Sequence, residues 1–141
     1  MVRFISLLKR REGISPEEFV NYYETRHSKL LGMFPHDHVS GAIGYRRSYI
    51  EPHPHPIAQA TAGVDYDCVM ELAYPDRKAL QADMEFLSSD GVRPIFAEDE
   101  DQLFDRRYSR CYIVYQENSS DKLPISASGS RVSPIKESGP V

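Results

Sequence analysis

Two short stretches near opposite ends of the chain carry large apolar side chains on both of their alternating faces. Val2 to Lys9 puts Val2, Phe4 and Leu8 on one parity and Ile5 and Leu7 on the other. Arg107 to Gln116 sets Cys111, Ile113 and Tyr115 against Tyr108, Tyr112 and Val114. Side chains along a strand alternate between faces, so a strand that is apolar on both parities must be covered on both sides. A sheet with helices on one side only would leave the other side of these strands wet. The opposite face therefore needs a second layer.

Between them lies the clearest helix signal in the chain, Ile14 to Leu31. Ser15 is a favourable N-cap, Pro16 suits the first helical position, and Glu18 stands three residues after the cap, which makes a capping box. Ile14 and Phe19 have the spacing of a hydrophobic staple. Phe19, Tyr23, His27 and Leu31 recur every fourth residue and so share one face, with Leu30 widening the stripe. The helix is expected to run to about Gly32, with His27 on its buried side. There the imidazole is either a hydrogen-bonded core group or a proton-transfer group.

Val39 to Ile50 reads as a second strand, and three prolines between Glu51 and Ile57 end it. Residues 51–63 are a long connection, read as a lid. Val64 to Tyr74 alternates, with Val64, Tyr66, Cys68, Met70 and Leu72 on one side and Asp65, Asp67, Val69 and Glu71 on the other. Asp76 is the expected cap of a second helix built on Leu80, Met84 and Leu87, which Ser88 to Gly91 breaks. Val92 to Asp105 reads as a short helix followed by a solvated acidic turn, Glu98 to Asp101. From Asn118 the composition turns to Ser, Pro and Gly, so 1–117 is expected to form the domain and 118–141 a tail, disordered or docked on a partner subunit.

The 141 residues suit one domain with a real core. With 17 basic and 21 acidic residues the formal charge is -4, which excludes the basic footprint of a nucleic-acid binder. Phe4 to Leu8 is far too short to span a membrane, and charged residues follow it at once. The protein is expected in the cytoplasm, with Cys68 and Cys111 as small buried residues of two strands and no disulfide. His36-x-His38 and His53-Pro-His55 lie in loops, without a cysteine to complete a ligand set, so no metal site is expected.

The order strand, helix, strand, strand, helix, strand is two βαβ halves. It implies an α+β, ferredoxin-like βαββαβ sandwich with an antiparallel sheet and helices on one face. A second copy of the sheet is the simplest cover for the other face, giving a homodimer through the sheet faces, a dimeric α+β barrel. Lys9 to Leu30 resembles the first-helix signature of the EthD-like dimeric α+β barrel family, and Asp99 to Asp105 resembles that family's acidic turn before the last strand. Val64 to Leu72 is similar to the third strand of fungal members that act on aromatic polyketides. Carboxylic-acid decarboxylases are among those fungal members, and they tend to carry an Asp-His-Glu-Asn run where this chain has Asp99-Glu100-Asp101-Gln102.

The resemblance implies a substrate cleft between the first helix and the sheet, with His27 pointing into it and Tyr23 one turn earlier. Asp67 is the preferred partner to hold the imidazole in one tautomer, with Asp65 and Glu71 as alternatives, provided the acidic side of that strand faces the helices. Tyr45, Arg47, Tyr49, Tyr66, Phe34 and Phe96 are the expected substrate-binding walls for an aromatic small molecule. The implied activity is that of a cofactor-independent lyase of aromatic polyketide or related secondary metabolism, by dehydration, cyclisation or decarboxylation. Two other readings accompany it: a cofactor-free monooxygenase of phenolic polyketides, and a non-catalytic dimeric module that binds a metabolite.

Overall fold

A computed structural model of the protein describes residues 1–58 and 63–123. The chain runs β1 (Val2–Leu8), α1 (Pro16–Thr25), a 3-10 turn (His27–Gly32), β2 (Gly44–Tyr49), β3 (Cys68–Tyr74), α2 (Arg77–Leu87), α3 (Arg93–Glu100) and β4 (Arg110–Val114). The four strands form one sheet in the order β2-β3-β1-β4, and every neighbouring pair is antiparallel. This is the expected ferredoxin-like α+β topology. The part of the connection at 59–62 and the part of the tail from 124 onward lie outside the described residues.

Local chemistry sets the helix starts. Ser15 Oγ accepts from Glu18 N at 3.0 Å while the Glu18 carboxylate accepts from Ser15 N at 2.8 Å, so the capping box is complete. Such a cap is worth about 1 kcal/mol. Asp76 caps α2 by accepting from Ala79 N at 2.9 Å. Below α1, Phe19 and Tyr23 bury themselves with Leu8, Cys68, Leu103 and Phe104, and Ile14 packs against the same cluster. Below α2 a second cluster joins Val2, Tyr74 and Leu80. Both clusters lie on one side of the sheet.

On the other side, Ile5 stands between Glu71 and Tyr112, and Leu7 between Val69 and Arg110. No helix of the described residues covers this second face, and Tyr112 remains 48% exposed. The two-sided apolar pattern of β1 is thus real, with one parity under the helices and the other open.

Several boundaries differ from expectation. Helix α1 stops at Thr25, because Arg26 leaves helical geometry at φ -129° and the chain tightens into the 3-10 turn. Strand β2 begins at Gly44 instead of Val39. Residues 33–43 instead arch over the sheet, where His38 and Ser40 bind Asp83 of α2 in place of a ladder. Gly41 passes so close to α2 that a Cβ would stand 2.9 Å from the Ala79 Cβ. Strand β3 begins at Cys68, opposite the last residue of β1, since pairing stops where β1 stops. Cys111, expected to be buried, is exposed on the edge strand β4, whereas Cys68 is buried.

Candidate active site

The two core clusters do not meet, and the gap between them is a cavity of about 310 Å³. Its apolar walls are Leu31 and Ala42, Met70 and Leu72 of β3, and Leu87 and Phe96 of the second half. Polar groups enter from every layer: Tyr23, His27 and Ser28 from the first helical region, Ser40 and Tyr45 from the arch and β2, Tyr74 and Asp83 from β3 and α2, and Glu100 from α3. This is the composition of a small-molecule site, mostly apolar with a few converging polar groups.

His27 heads the 3-10 turn and its side chain is only 9% exposed. Its Nδ1 lies 2.8 Å from Asp99 Oδ2. A carboxylate only accepts, so Nδ1–H donates and the neutral ring keeps its lone pair on Nε2. The imidazole is packed edge-on between Tyr23, Phe96 and Phe104, at centroid distances of 5.2, 6.2 and 5.5 Å. Its orientation is therefore fixed both by a hydrogen bond and by three rings.

Asp99 is itself buried and well satisfied. Oδ1 accepts from Tyr22 OH at 2.7 Å and from Arg26 Nε at 3.0 Å. Burial pushes its carboxyl up, but the hydrogen bonds from Tyr22, His27 and Arg26 outweigh that and hold it below the usual value. Asp99 thus stays ionised while it orients His27. Its neighbour Glu100 behaves oppositely: burial raises it, and the nearby charges of His27 and Arg106 offset this only in part. On the far wall Asp83 accepts from His38 Nε2 at 2.7 Å, Ser40 Oγ at 2.6 Å and Tyr74 OH at 2.8 Å. His38 also stacks on Phe86 with centroids 4.2 Å apart.

The cavity therefore brings together His27, Tyr23, Tyr45 and Phe96 from among the expected site residues. Tyr45 OH approaches Tyr23 OH at 3.5 Å, and burial pushes the Tyr23 hydroxyl far up, so it remains protonated. Asp67 does not hold the imidazole. Its carboxylate accepts from Arg10 N at 2.8 Å and pairs with Lys9 and Arg10, closing the turn after β1. Glu71 faces the opposite side of the sheet, near Arg3 at 3.8 Å, and Asp65 precedes the strand in an irregular segment.

Arg47 is turned away from the cavity, its guanidinium forked onto Glu24 at 2.9 and 2.6 Å, with Tyr49 OH on the same carboxylate at 2.5 Å. Tyr66 lies beside Arg110 of β4, outside the lining. Phe34 packs behind Phe96, at 6.2 Å between centroids.

The groups that sequence reasoning passed over, Asp99, Glu100 and Asp83, all left a periodic signal. Asp99 follows Phe96 by three residues and Ile95 by four, Glu100 follows Phe96 by four, and Asp83 follows Leu80 by three, so each has an apolar neighbour on its own side of the helix. Asp99 was hidden by the acids around it. The run Glu98 to Asp101 is the last turn of α3 and its C-cap, and only some of it is solvated.

A four-stranded antiparallel sheet, helices on one face and a cavity lined by an Asp-oriented histidine define a ferredoxin-like α+β protein with a candidate site between helices and sheet. The EthD domain model matches residues 11–107, and the chain belongs to the EthD domain family. Among solved structures it is similar to an EthD family protein of Bacillus halodurans, at 18% identity and a TM-score of 0.53, covering 83% of this chain and 99% of that one. A protein of Arabidopsis thaliana is similar at 13% identity and a TM-score of 0.50, covering 87% of this chain and 100% of that one. At these identities the likeness extends to the fold. No functionally curated protein matches the sequence.

Proposed function

We propose that the protein is a cofactor-independent lyase acting on an aromatic polyketide or a related secondary metabolite, with His27 as the general acid/base. The observation that carries this reading is the 2.8 Å contact between His27 Nδ1, whose ring lines the cavity, and Asp99, which stands outside the lining. It leaves Nε2 as a base on the wall of a site of aromatic size. Nε2 removes a proton from the carbon next to a substrate carbonyl, the C–H electron pair forms the new C=C bond, and the C–O bond to a β-hydroxyl breaks. The imidazolium returns the proton to the departing oxygen, which leaves as water.

Tyr23, protonated and buried, donates a hydrogen bond to the carbonyl oxygen as negative charge develops there. Tyr22 and Arg26 hold Asp99, and so act on His27 at one remove. The open sheet face, centred on Ile5, Leu7, Val69 and Tyr112, is the surface on which two copies pair into a homodimer. The supporting observation is the apolar parity of β1 that no helix covers.

The test is to incubate the protein with a panel of hydroxylated aryl ketones and aryl acids and follow the products by mass. Loss of water, loss of carbon dioxide and gain of oxygen separate dehydration, decarboxylation and oxygenation. A positioned general base contributes roughly 10²- to 10⁴-fold, so His27→Ala should slow turnover by that factor. An unchanged rate in that variant sinks the reading.

A further inference from the structure

The charge on the cavity wall is one-sided. Two carboxyls, Asp83 and Glu100, line it together with hydroxyls of Tyr23, Tyr45, Tyr74, Ser28 and Ser40, and among the described residues neither lysine nor arginine joins the lining. Three arginines around it are engaged elsewhere. Arg47 is forked onto Glu24, Arg26 donates to Asp99, and Arg106 pairs with Asp101 at 2.8 Å and donates to Ala97 O at 3.1 Å.

The two carboxyls differ in how their charge is met. Asp83 already accepts three hydrogen bonds, so little of its charge is left unanswered. Glu100 has Arg106 at 3.8 Å, outside hydrogen-bond distance, and stands close enough to His27 for the two to interact electrostatically. A carboxylate ligand entering this cavity would lose its water, find no lysine or arginine among the described lining residues, and face Glu100 beside a His27 that must stay neutral to act as a base. Desolvating an unpaired charge beside a like charge is among the most unfavourable arrangements a site offers.

Resting on the lyase reading above, we infer that the cavity takes an uncharged hydroxyaryl compound and rejects carboxylates, with Glu100 as the residue that enforces the choice. The hydroxyls of such a ligand donate to the acceptors on the wall, and its ring lies against Leu72, Met70 and Phe96. The consequence for chemistry is direct. A decarboxylase must admit its substrate as the carboxylate, whereas dehydration and cyclisation proceed on neutral hydroxy ketones, so the site belongs with the latter.

The probes are 2-naphthol and 2-naphthoate, which share a ring system and differ in charge at neutral pH. Their affinities for the full-length protein are measured by calorimetry, and the His27 imidazole resonances report binding in the cavity. The naphthol should bind at least tenfold more tightly than the naphthoate and shift the His27 signals. In Glu100→Gln, with the fold checked by circular dichroism, that gap should shrink by severalfold, chiefly through improved naphthoate binding. Equal affinities in the wild type, or tighter naphthoate binding, overturn the inference while leaving the His27 mechanism standing. A gap that Glu100→Gln leaves untouched overturns the role of Glu100. If neither compound moves the His27 signals, the cavity is no ligand site, and both this inference and the lyase reading fall.

Discussion

His27 Nδ1 and Asp99 Oδ2 stand 2.8 Å apart although 72 residues of chain separate them. One comes from the turn after α1 in the first βαβ half and the other from the helix before the last strand, so the pair ties the two halves together beside the cavity. Asp99→Asn should leave the fold in place yet lower turnover by about 10²-fold or more. The amide can donate to Nδ1 and so favour the tautomer with its proton on Nε2, which removes the base. Steady-state kinetics read the loss, and ¹⁵N spectra of the imidazole read the tautomer.

Acid should unfold the protein through the carboxyls whose folded pKa is depressed. Asp99 and Asp83 are held below 3.8 by their donors despite burial, and the fork from Arg47 draws Glu24 down to about 2. A depressed carboxyl contributes stability that is present above its unfolded value and disappears as pH falls through its folded value. Unfolding free energy from urea titrations should therefore hold steady down to about pH 5 and decline towards pH 2. Asp83→Asn should flatten part of that slope.

The Glu24–Arg47–Tyr49 group is a structural brace outside the cavity. Arg47→Lys cannot reproduce the fork and Arg47→Ala removes it, so both should lower stability, by roughly 1 kcal/mol for a partly exposed pair. Ligand affinity should change by less than threefold. Thermal melts and naphthol titrations on the same samples check both halves of this expectation.

The two thiols should react at very different rates. Burial pushes Cys68 up to about 12, and its side chain has no exposure, whereas Cys111 is exposed. The thiolate is the reactive form, so a disulfide reagent should label one cysteine per chain promptly and the second only on unfolding. Mass spectrometry of the digest should place the fast label on Cys111; prompt labelling of Cys68 would contradict the packing beneath α1.

Ile5→Lys introduces a charge at the centre of the open sheet face without touching either core cluster. If two copies pair there, the variant should sediment as a monomer at concentrations where the wild type is a dimer. An unchanged sedimentation profile counts against pairing through this face.

What was legible in the sequence was what local chemistry controls. Ser15, Glu18 and Asp76 announce their helices because a cap needs only its own next few residues. The alternation of Cys68, Met70, Leu72 and Tyr74 likewise sorts itself onto one face. What was not legible depends on partners distant in sequence. Val39 and Ser40 read as strand because nothing near them says that Asp83 will claim His38 and Ser40. The stop at Thr25 has no glycine or proline to mark it. Arg26, which turns the chain there, donates to Asp99, 73 residues on. Asp67 would partner His27 only if the acidic side of its strand faced the helices, and its carboxylate instead closes the turn at Arg10.

Asp83 fastens the arch at 33–43, the helix α2 and the strand β3 through one carboxylate. Because His38 and Ser40 hang on that single anchor, its loss should loosen both at once and Ala42 N, bonded to Ser40 Oγ, with them, while Ile43 N stays on Ala73 O at 2.7 Å. The rim of the cavity on that side thus depends on one carboxylate of a distant helix, and amide exchange at Ala42 against Ile43 would separate the part it holds from the part the sheet holds.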